Sequence, residues 1–315
     1  MTSADVAPQS GTCREADKVR PAPALWCFIL AMTALSLAIS LVTGVRIQIS
    51  ELIAVLAGST FMVCLSAFYT HIRPEPRLAR LTRAVAEITL LISMVGTLSF
   101  SGASLALPLR DEWYHAWDQA IGFDWRYWLS VVNDHPGIHR VLAAAYHSML
   151  PQTGVLVFAL VWAKAFRQLD RFLLSYGISA VITVAIAAAF PALSPIVHLG
   201  ITAADHPNIV LAVPLEFEEQ ALALRNGSLK LIELSGAQGL VTFPSFHTVS
   251  AILLALAFAA VPYLRWIGFG TNAIMLLAIP IEGSHYLVDV IAGIALAVLT
   301  WGMAGRLLRR NNISA

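Results

Sequence analysis

The sequence has little charge for its length. Only 12% of its 315 residues are Asp, Glu, Lys or Arg, whereas soluble globular domains carry roughly 25%. This scarcity, together with a mean hydropathy of +0.73, excludes a water-soluble enzyme and a disordered chain. The 20 basic and 19 acidic residues nearly cancel, so the chain also lacks the basic field that polyanions require. We expect no nucleic-acid partner.

Cysteine is also scarce, and its placement argues against disulfides and metals. Cys27 and Cys64 lie in apolar runs, and Cys13 lies in the polar N-terminal segment. Neither a Cys-x-x-Cys motif nor a plausible disulfide pair is present. We therefore expect neither a disulfide nor a cysteine metal site. No motif in the sequence points to a cofactor, and we expect none. The first 23 residues are too polar for a signal peptide, and they are interpreted as a cytoplasmic tail.

Long hydrophobic runs dominate the rest of the chain. A membrane-spanning helix needs about 20 mostly apolar residues, and eight segments approach or meet this requirement. They are Ala24–Thr43, Leu52–Thr70, Ile88–Leu109, Val141–Ala163, Phe172–Phe190, Phe246–Leu264, Trp266–Ile281 and His285–Gly305. The sequence predicts an all-α polytopic membrane bundle of about eight transmembrane helices. Residues 24–310 form one membrane domain, and 311–315 form a cytoplasmic end.

The distribution of Lys and Arg predicts the orientation of this bundle. Eight spans place both termini on one side, and 14 of the 20 basic residues fall on that side. The positive-inside rule therefore predicts that both termini are cytoplasmic. Two outer segments are long. Arg110–Arg140 is rich in Trp and Tyr and predicts amphipathic helices at the membrane interface, while Pro191–Thr242 predicts a functional loop.

Two histidines are candidates for chemistry because the predicted topology puts them at one depth. His247 and His285 both lie at the outer ends of predicted helices. Asp289 follows His285 by four residues and therefore shares its helical face. A carboxylate there can orient one imidazole nitrogen and leave the other free as a nucleophile.

The sixth predicted span begins with a pattern that favours anion binding. Pro244-Ser245 is typical of a helix N-terminus, where free N–H groups and the helix dipole attract a phosphate. Ser245 can add a hydroxyl donor. A phosphate held there would lie beside His247, which could protonate the leaving oxygen.

Other interpretations of these residues stay open. A metal site would need three or four converging ligands, and only His247, His285 and Asp289 are available, so we expect no metal. A transporter could use intramembrane His and Asp as a proton path, but it would predict inverted repeats, and none is evident. A lipid-binding scaffold would need none of the three side chains for chemistry.

At these residues the sequence resembles the membrane-bound type 2 phosphatidic acid phosphatase superfamily. Pro244-Ser245-Phe246-His247 matches its Pro-Ser-Gly-His motif, with Phe246 in place of glycine. His285-x3-Asp289 matches the core of its Ser-Arg-x5-His-x3-Asp motif, although residue 279 is isoleucine instead of arginine. The resemblance covers about residues 100–305 and is closest to the inositol phosphorylceramide synthase branch.

The resemblance implies an activity and a set of roles. The fold would be a helical bundle that acts on a phospholipid or lipid phosphate at the extracytoplasmic face, without a metal. His285 would be the nucleophile, Asp289 its orienting acid and His247 the general acid. The acceptor would be a lipid alcohol, as in an inositolphosphotransferase, or water. The family's phosphate-binding Arg and Lys are missing, so we expect an outer-face cation to replace them. The candidates are Arg110, Arg140, Arg225 and Lys230, with Arg110 preferred.

Overall fold

The described part of the chain is mostly helical. The structure, a computed structural model, describes residues 23–213, 216–233 and 240–310. The predicted ends 1–23 and 311–315 lie outside the described residues, apart from Pro23. The predicted all-α bundle is confirmed. Its helices are α1 (Pro23–Thr43), α2 (Ile49–His71), α3 (Pro76–Ala103), α4 (Asp111–Ala120), α5 (Trp125–Asp134), α6 (Pro136–His147), α7 (Met149–Trp162), α8 (Phe166–Ala189), α9 (Pro195–His198), α10 (Glu216–Arg225), α11 (Phe246–Phe258), α12 (Arg265–Glu282) and α13 (Leu287–Arg310).

Each of the eight predicted spans contains a helix, but the helices differ in reach. Within the described ranges, α1, α2, α3, α8 and α13 are long and apolar enough to cross a membrane. The pair α6–α7 is bent by 50° and adds a sixth crossing if it counts as one span. The remaining two are shorter, because α11 has only 13 residues and α12 has 18, ending in Glu282. A 13-residue helix is about 20 Å long, less than the ~30 Å hydrocarbon core.

The apolar core lies among α3, α8, α11 and α13. Leu91, Leu173, Leu253 and Ala297, one from each helix, are buried in a single cluster. The first two helices are peripheral, since only 17% of the residues in the most apolar stretch of α1, and 11% of those in α2, are buried inside the bundle. Their outward faces are apolar, which is the pattern of helices that contact lipid.

Several connections that are distant in sequence meet at one end of the bundle. Strand β1 (Arg46–Ile47), between α1 and α2, pairs in parallel with β2 (Leu231–Ile232), which follows α10. The Arg110 N–H, which precedes α4, donates to the Pro191 carbonyl 2.8 Å away, just after α8. The predicted outer segments are therefore in mutual contact. α4 and α5 occupy the segment that was predicted to form interfacial helices.

Candidate active site

His285 and Asp289 form a hydrogen-bonded pair at the start of α13. The distance between His285 Nδ1 and Asp289 Oδ2 is 3.1 Å. Asp289 Oδ2 also accepts the Tyr286 N–H at 3.0 Å, so the carboxylate caps the first turn of the helix. The pair is 7% and 0% exposed. The sequence predicted His285 inside the last helix, but it lies two residues before the start of α13. The four-residue spacing still brings the two side chains together.

The first turn of α11 lies against this pair. Ser245 is the N-cap of α11, and its hydroxyl accepts the Thr248 N–H, which confirms the helix start predicted from Pro244-Ser245. The Ser245 N–H donates to the Asp289 carbonyl at 3.1 Å. A Cβ at Gly293 would lie 2.8 Å from the Ser245 carbonyl oxygen and 2.7 Å from Thr248 Cβ. The absence of a side chain at Gly293 thus allows α11 and α13 to touch.

The imidazole of His247 packs against the aromatic ring of Tyr146. Its ring stacks on Tyr146 with 4.2 Å between centroids and 13° between planes. The Tyr146 hydroxyl oxygen is 3.4 Å from His247 Nδ1, but nearly parallel rings place it over the imidazole face instead of along the nitrogen lone pair. We therefore interpret the contact as stacking. It fixes the orientation of the ring and leaves its edge available to a substrate.

Two acidic residues of α4 support the start of α13, and sequence reasoning did not assign them a role. Asp118 accepts the N–H groups of Leu287 and Val288 at 2.8 and 2.9 Å. Asp111 accepts the Tyr286 hydroxyl at 3.0 Å. Burial raises the pKa of both carboxyls above the usual value. The contacts join residues about 170 positions apart, so no local spacing could indicate them.

A cavity of about 340 Å³ opens beside the two histidines. Its size falls within the ~300–1,000 Å³ typical of small-molecule sites. His247 and His285 both line it, together with Tyr146, His147 and Ser284. Most of the remaining lining residues are apolar, and α3 and α8 contribute more of them than any other helix. The site therefore combines two imidazoles with a largely apolar wall.

A family model extends this picture beyond the two short motifs. The model of the PAP2 superfamily (type 2 phosphatidic acid phosphatases) matches residues 112–303, more than half of the chain. The chain belongs to the PAP2 superfamily. No curated protein and no solved structure matches it. Membership supports an activity of the lipid phosphatase or phosphotransferase kind. His247, His285 and Asp289 all lie within the matched region, whereas α1 to α3 precede it.

The two predicted substrate-binding residues, Arg110 and Ser245, are not among the described residues that line the cavity. The Arg110 guanidinium lies 4.1 Å from the centroid of the Trp113 ring. The Ser245 hydroxyl is fully buried at the α11 cap. Arg225, at the end of α10, does line the cavity, and its Nη2 donates to the Leu107 carbonyl at 2.7 Å.

A second histidine–acid pair lies close to the PAP2 motif residues and was not anticipated. His139 Nδ1 is 2.8 Å from Glu282 Oε1, and Glu282 is fully buried. Glu282 also accepts the Ala212 N–H through Oε2, and its carbonyl accepts the Val213 N–H. Ala212 and Val213 line the cavity. The pair therefore fastens part of the long 191–242 segment to the end of α12, three residues before His285.

Proposed function

We propose that this PAP2 superfamily member cleaves the phosphate ester of a membrane lipid through a phosphohistidine on His285. The imidazole nitrogen that does not face Asp289 attacks phosphorus, and the bond from phosphorus to the lipid oxygen breaks. His247 gives a proton to that leaving oxygen. The observation that carries this proposal is the His285–Asp289 hydrogen bond on the wall of a cavity that also contains His247.

The second half of the reaction restores the enzyme. His247, now neutral, takes a proton from an incoming hydroxyl, whose oxygen attacks the phosphohistidine and releases His285. Throughout, Asp289 holds the imidazole in one orientation and stabilises its positive form. Asp289 is fully buried. Its interaction with the imidazolium is therefore shielded from water and is stronger than it would be in solvent.

The phosphate needs positive partners, and the family's arginine is replaced by isoleucine at residue 279. We assign this role to Arg225, because it is a cationic residue on the cavity wall. The N-terminus of α11 adds its dipole, since its first two residues, Phe246 and His247, also line the cavity. This assignment replaces the sequence-based preference for Arg110.

The incoming hydroxyl belongs, in our proposal, to a lipid alcohol in the extracytoplasmic leaflet. The support for a transferase is the Phe-Pro-Ser-Phe-His and His-Tyr-Leu-Val-Asp pattern, which resembles the inositol phosphorylceramide synthase branch. The mostly apolar cavity adds support because it limits the access of competing water. Hydrolysis, with water as the acceptor, is the alternative that the assay below separates.

Trapping of the intermediate tests the proposal. Purified protein is given a lipid phosphate labelled on phosphorus, with and without a long-chain alcohol, and is then quenched in alkali, which preserves phosphohistidine. Wild-type protein should retain label, and the alcohol should divert the labelled phosphoryl group from inorganic phosphate to a phosphorylated lipid. His285→Ala should retain no label and show no turnover, while His71→Ala, which changes an exposed histidine in the last turn of α2, should match wild type.

A chelator arm separates this mechanism from its metal-based rival. A histidine nucleophile needs no metal-bound hydroxide, so turnover and trapped label should both survive EDTA. Loss of activity on chelation, with recovery on adding Zn²⁺ or Mg²⁺, would contradict the mechanism. Absence of any phosphate release or transfer by wild type would instead favour the transporter or scaffold interpretation.

A further inference from the structure

We infer that Tyr146 is a positioning residue for the general acid, and that the face of its ring stabilises the protonated form of His247. This inference rests on the proposed function, in which His247 must carry a proton until the lipid oxygen leaves. The tyrosine ring does for His247 what a carboxylate does for His285. The stacking of the two rings, with 4.2 Å between centroids and 13° between planes, carries the assignment.

The two imidazoles of the site have different kinds of partner. His285 is hydrogen bonded to the Asp289 carboxylate, which stabilises a positive charge on its ring. Within the described ranges, the side chains whose charge acts on His247 belong to His147 and His285. Both are bases, so neither favours a positive charge on His247. Another group must therefore stabilise that charge while His247 holds its proton.

The face of an aromatic ring suits this task. It carries partial negative charge, and it attracts a cation within about 6 Å of the ring centroid, more strongly where water is excluded. Tyr146 is buried, and its stacked geometry places the imidazole of His247 over that face. The ring adds no formal negative charge. Unlike a second carboxylate, it therefore does not repel the phosphate that must arrive beside His247.

Packing holds the Tyr146 ring in this position. Tyr146 belongs to a buried cluster to which both α6 and α12 contribute. Its Cε2 and the Cδ2 of His285 each lie 2.9 Å from the point that a Cβ at Gly283 would occupy. The edge of the tyrosine ring therefore lies beside one histidine of the site, while its face covers the other. A ring fixed in this way also keeps the two imidazoles at one spacing.

Fluorinated phenylalanines test this charge effect with little change in the shape of the ring. Each added fluorine withdraws electron density from the ring face and weakens its attraction for a cation. Full-length protein is purified in lipid nanodiscs with phenylalanine, or with its mono-, di- or trifluorinated form, at position 146. The single-turnover rate of phosphoenzyme formation is measured with an alkyl phosphate, whose alcohol needs a proton to leave, and with p-nitrophenyl phosphate, whose phenolate does not.

The expected result is graded and selective. Tyr146→Phe should keep both rates within about threefold, because the ring face remains. Fluorination should then lower the alkyl phosphate rate stepwise, by about tenfold in total, and leave the p-nitrophenyl phosphate rate nearly unchanged. Tyr146→Leu, which removes the face, should show at least the same selective loss. Rates that fall equally with both substrates, or that do not depend on fluorination, would overturn the inference.

Tyr176→Leu is the matched control for loss of a buried ring. Tyr176 also lines the cavity, but its ring contacts Phe246 edge to face and stacks on no imidazole among the described residues. This variant should change the two rates by one common factor, and a selective loss for the alkyl phosphate would contradict the inference.

The wild-type result separates this inference from the proposed function. Phosphoenzyme that forms in wild type at a rate insensitive to fluorination at position 146 would contradict the inference alone. Absence of phosphoenzyme in wild type with both substrates would contradict the proposed function as well.

Discussion

At the scale of single residues, His247 and His285 differ in their surroundings, and this difference predicts different losses. His285 is hydrogen bonded to a buried acid, whereas His247 stacks on Tyr146. We therefore expect His247→Ala to slow release of an alkyl alcohol by about 10²–10⁴-fold. Release of nitrophenol should be much less affected, because that leaving group needs no proton. Rates with the two substrates provide the measurement.

A reversal of roles is the contrary outcome. If His247→Ala failed to trap phosphoenzyme while His285→Ala still trapped it, the nucleophile and the acid would have to be exchanged. Asp289→Asn serves as a conservative third variant, because an amide oxygen can still accept the Tyr286 N–H. It should fold and trap label slowly.

Arg225 and Arg110 give a direct test of which cation binds phosphate. Arg225 lines the cavity, and Arg110 lies over Trp113. Loss of a hydrogen bond to a charged group costs about 1.5–3 kcal/mol, so Arg225→Gln should lower kcat/KM for lipid phosphates by about 10–100-fold. Arg110→Gln is the matched variant and should cost less. A larger loss at Arg110 would restore the preference drawn from sequence.

The sequence was sufficient for residues whose partners are local. The His285–Asp289 contact follows from a four-residue spacing, and the α11 start follows from Pro244-Ser245. The roles of Asp118 and Tyr146 could not be predicted in the same way, and Arg225 could only be named as one of four candidate cations. Their partners are a helix terminus, an imidazole and a cavity contributed by distant segments, and chain spacing carries no information about such contacts.

At the scale of elements, the contact between α11 and α13 decides whether the reactive residues meet. Gly293→Ala would force its Cβ against the Ser245 carbonyl and Thr248, separating the helix that carries His247 from the one that carries Asp289. Overpacking of this kind costs about 1–3 kcal/mol. We expect lower thermal stability and a lower rate of phosphoenzyme formation.

Gly302→Ala is the matched control for this contact. Gly302 lies on the same helix, and a Cβ there would meet nothing within 4 Å. Since alanine favours helix over glycine by about 1 kcal/mol, Gly302→Ala should be neutral or stabilising. Equal behaviour of the two variants would show that close approach at Gly293 does not matter. Thermal unfolding followed by label trapping measures both effects.

Hydrophobic runs predicted the existence of the helices better than their ends. The third run was placed at Ile88–Leu109, but α3 begins at Pro76, because Arg80 is buried in an ion pair with Glu87 and Asp170 and so continues the helix through a charged segment. The α6–α7 bend at residue 148 lies inside a single apolar run, where hydropathy gives no signal for it.

At the scale of the whole molecule, the contacts among connections restrict the topology. The α1–α2 connection pairs with residues 231–232, and residue 110 bonds residue 191. Segments at one end of a bundle lie on one side of the membrane, so these connections share a side. We propose that this side is the exterior, because 14 of the 20 Lys and Arg residues belong to segments on the other side of the topology predicted from sequence.

Cysteine labelling tests this assignment. In a background with Cys13, Cys27 and Cys64 changed to Ser, Asn226→Cys places a thiol at an exposed position beyond α10, and Glu75→Cys places one at an exposed position between α2 and α3. A membrane-impermeant maleimide added to intact cells should label the first variant and spare the second, which should react only after permeabilisation. The opposite pattern would put His247 and His285 on the cytoplasmic side, because their cavity is lined by Arg225, the residue next to the probe. The substrate would then have to come from the inner leaflet, while the chemistry proposed for the two histidines would stand.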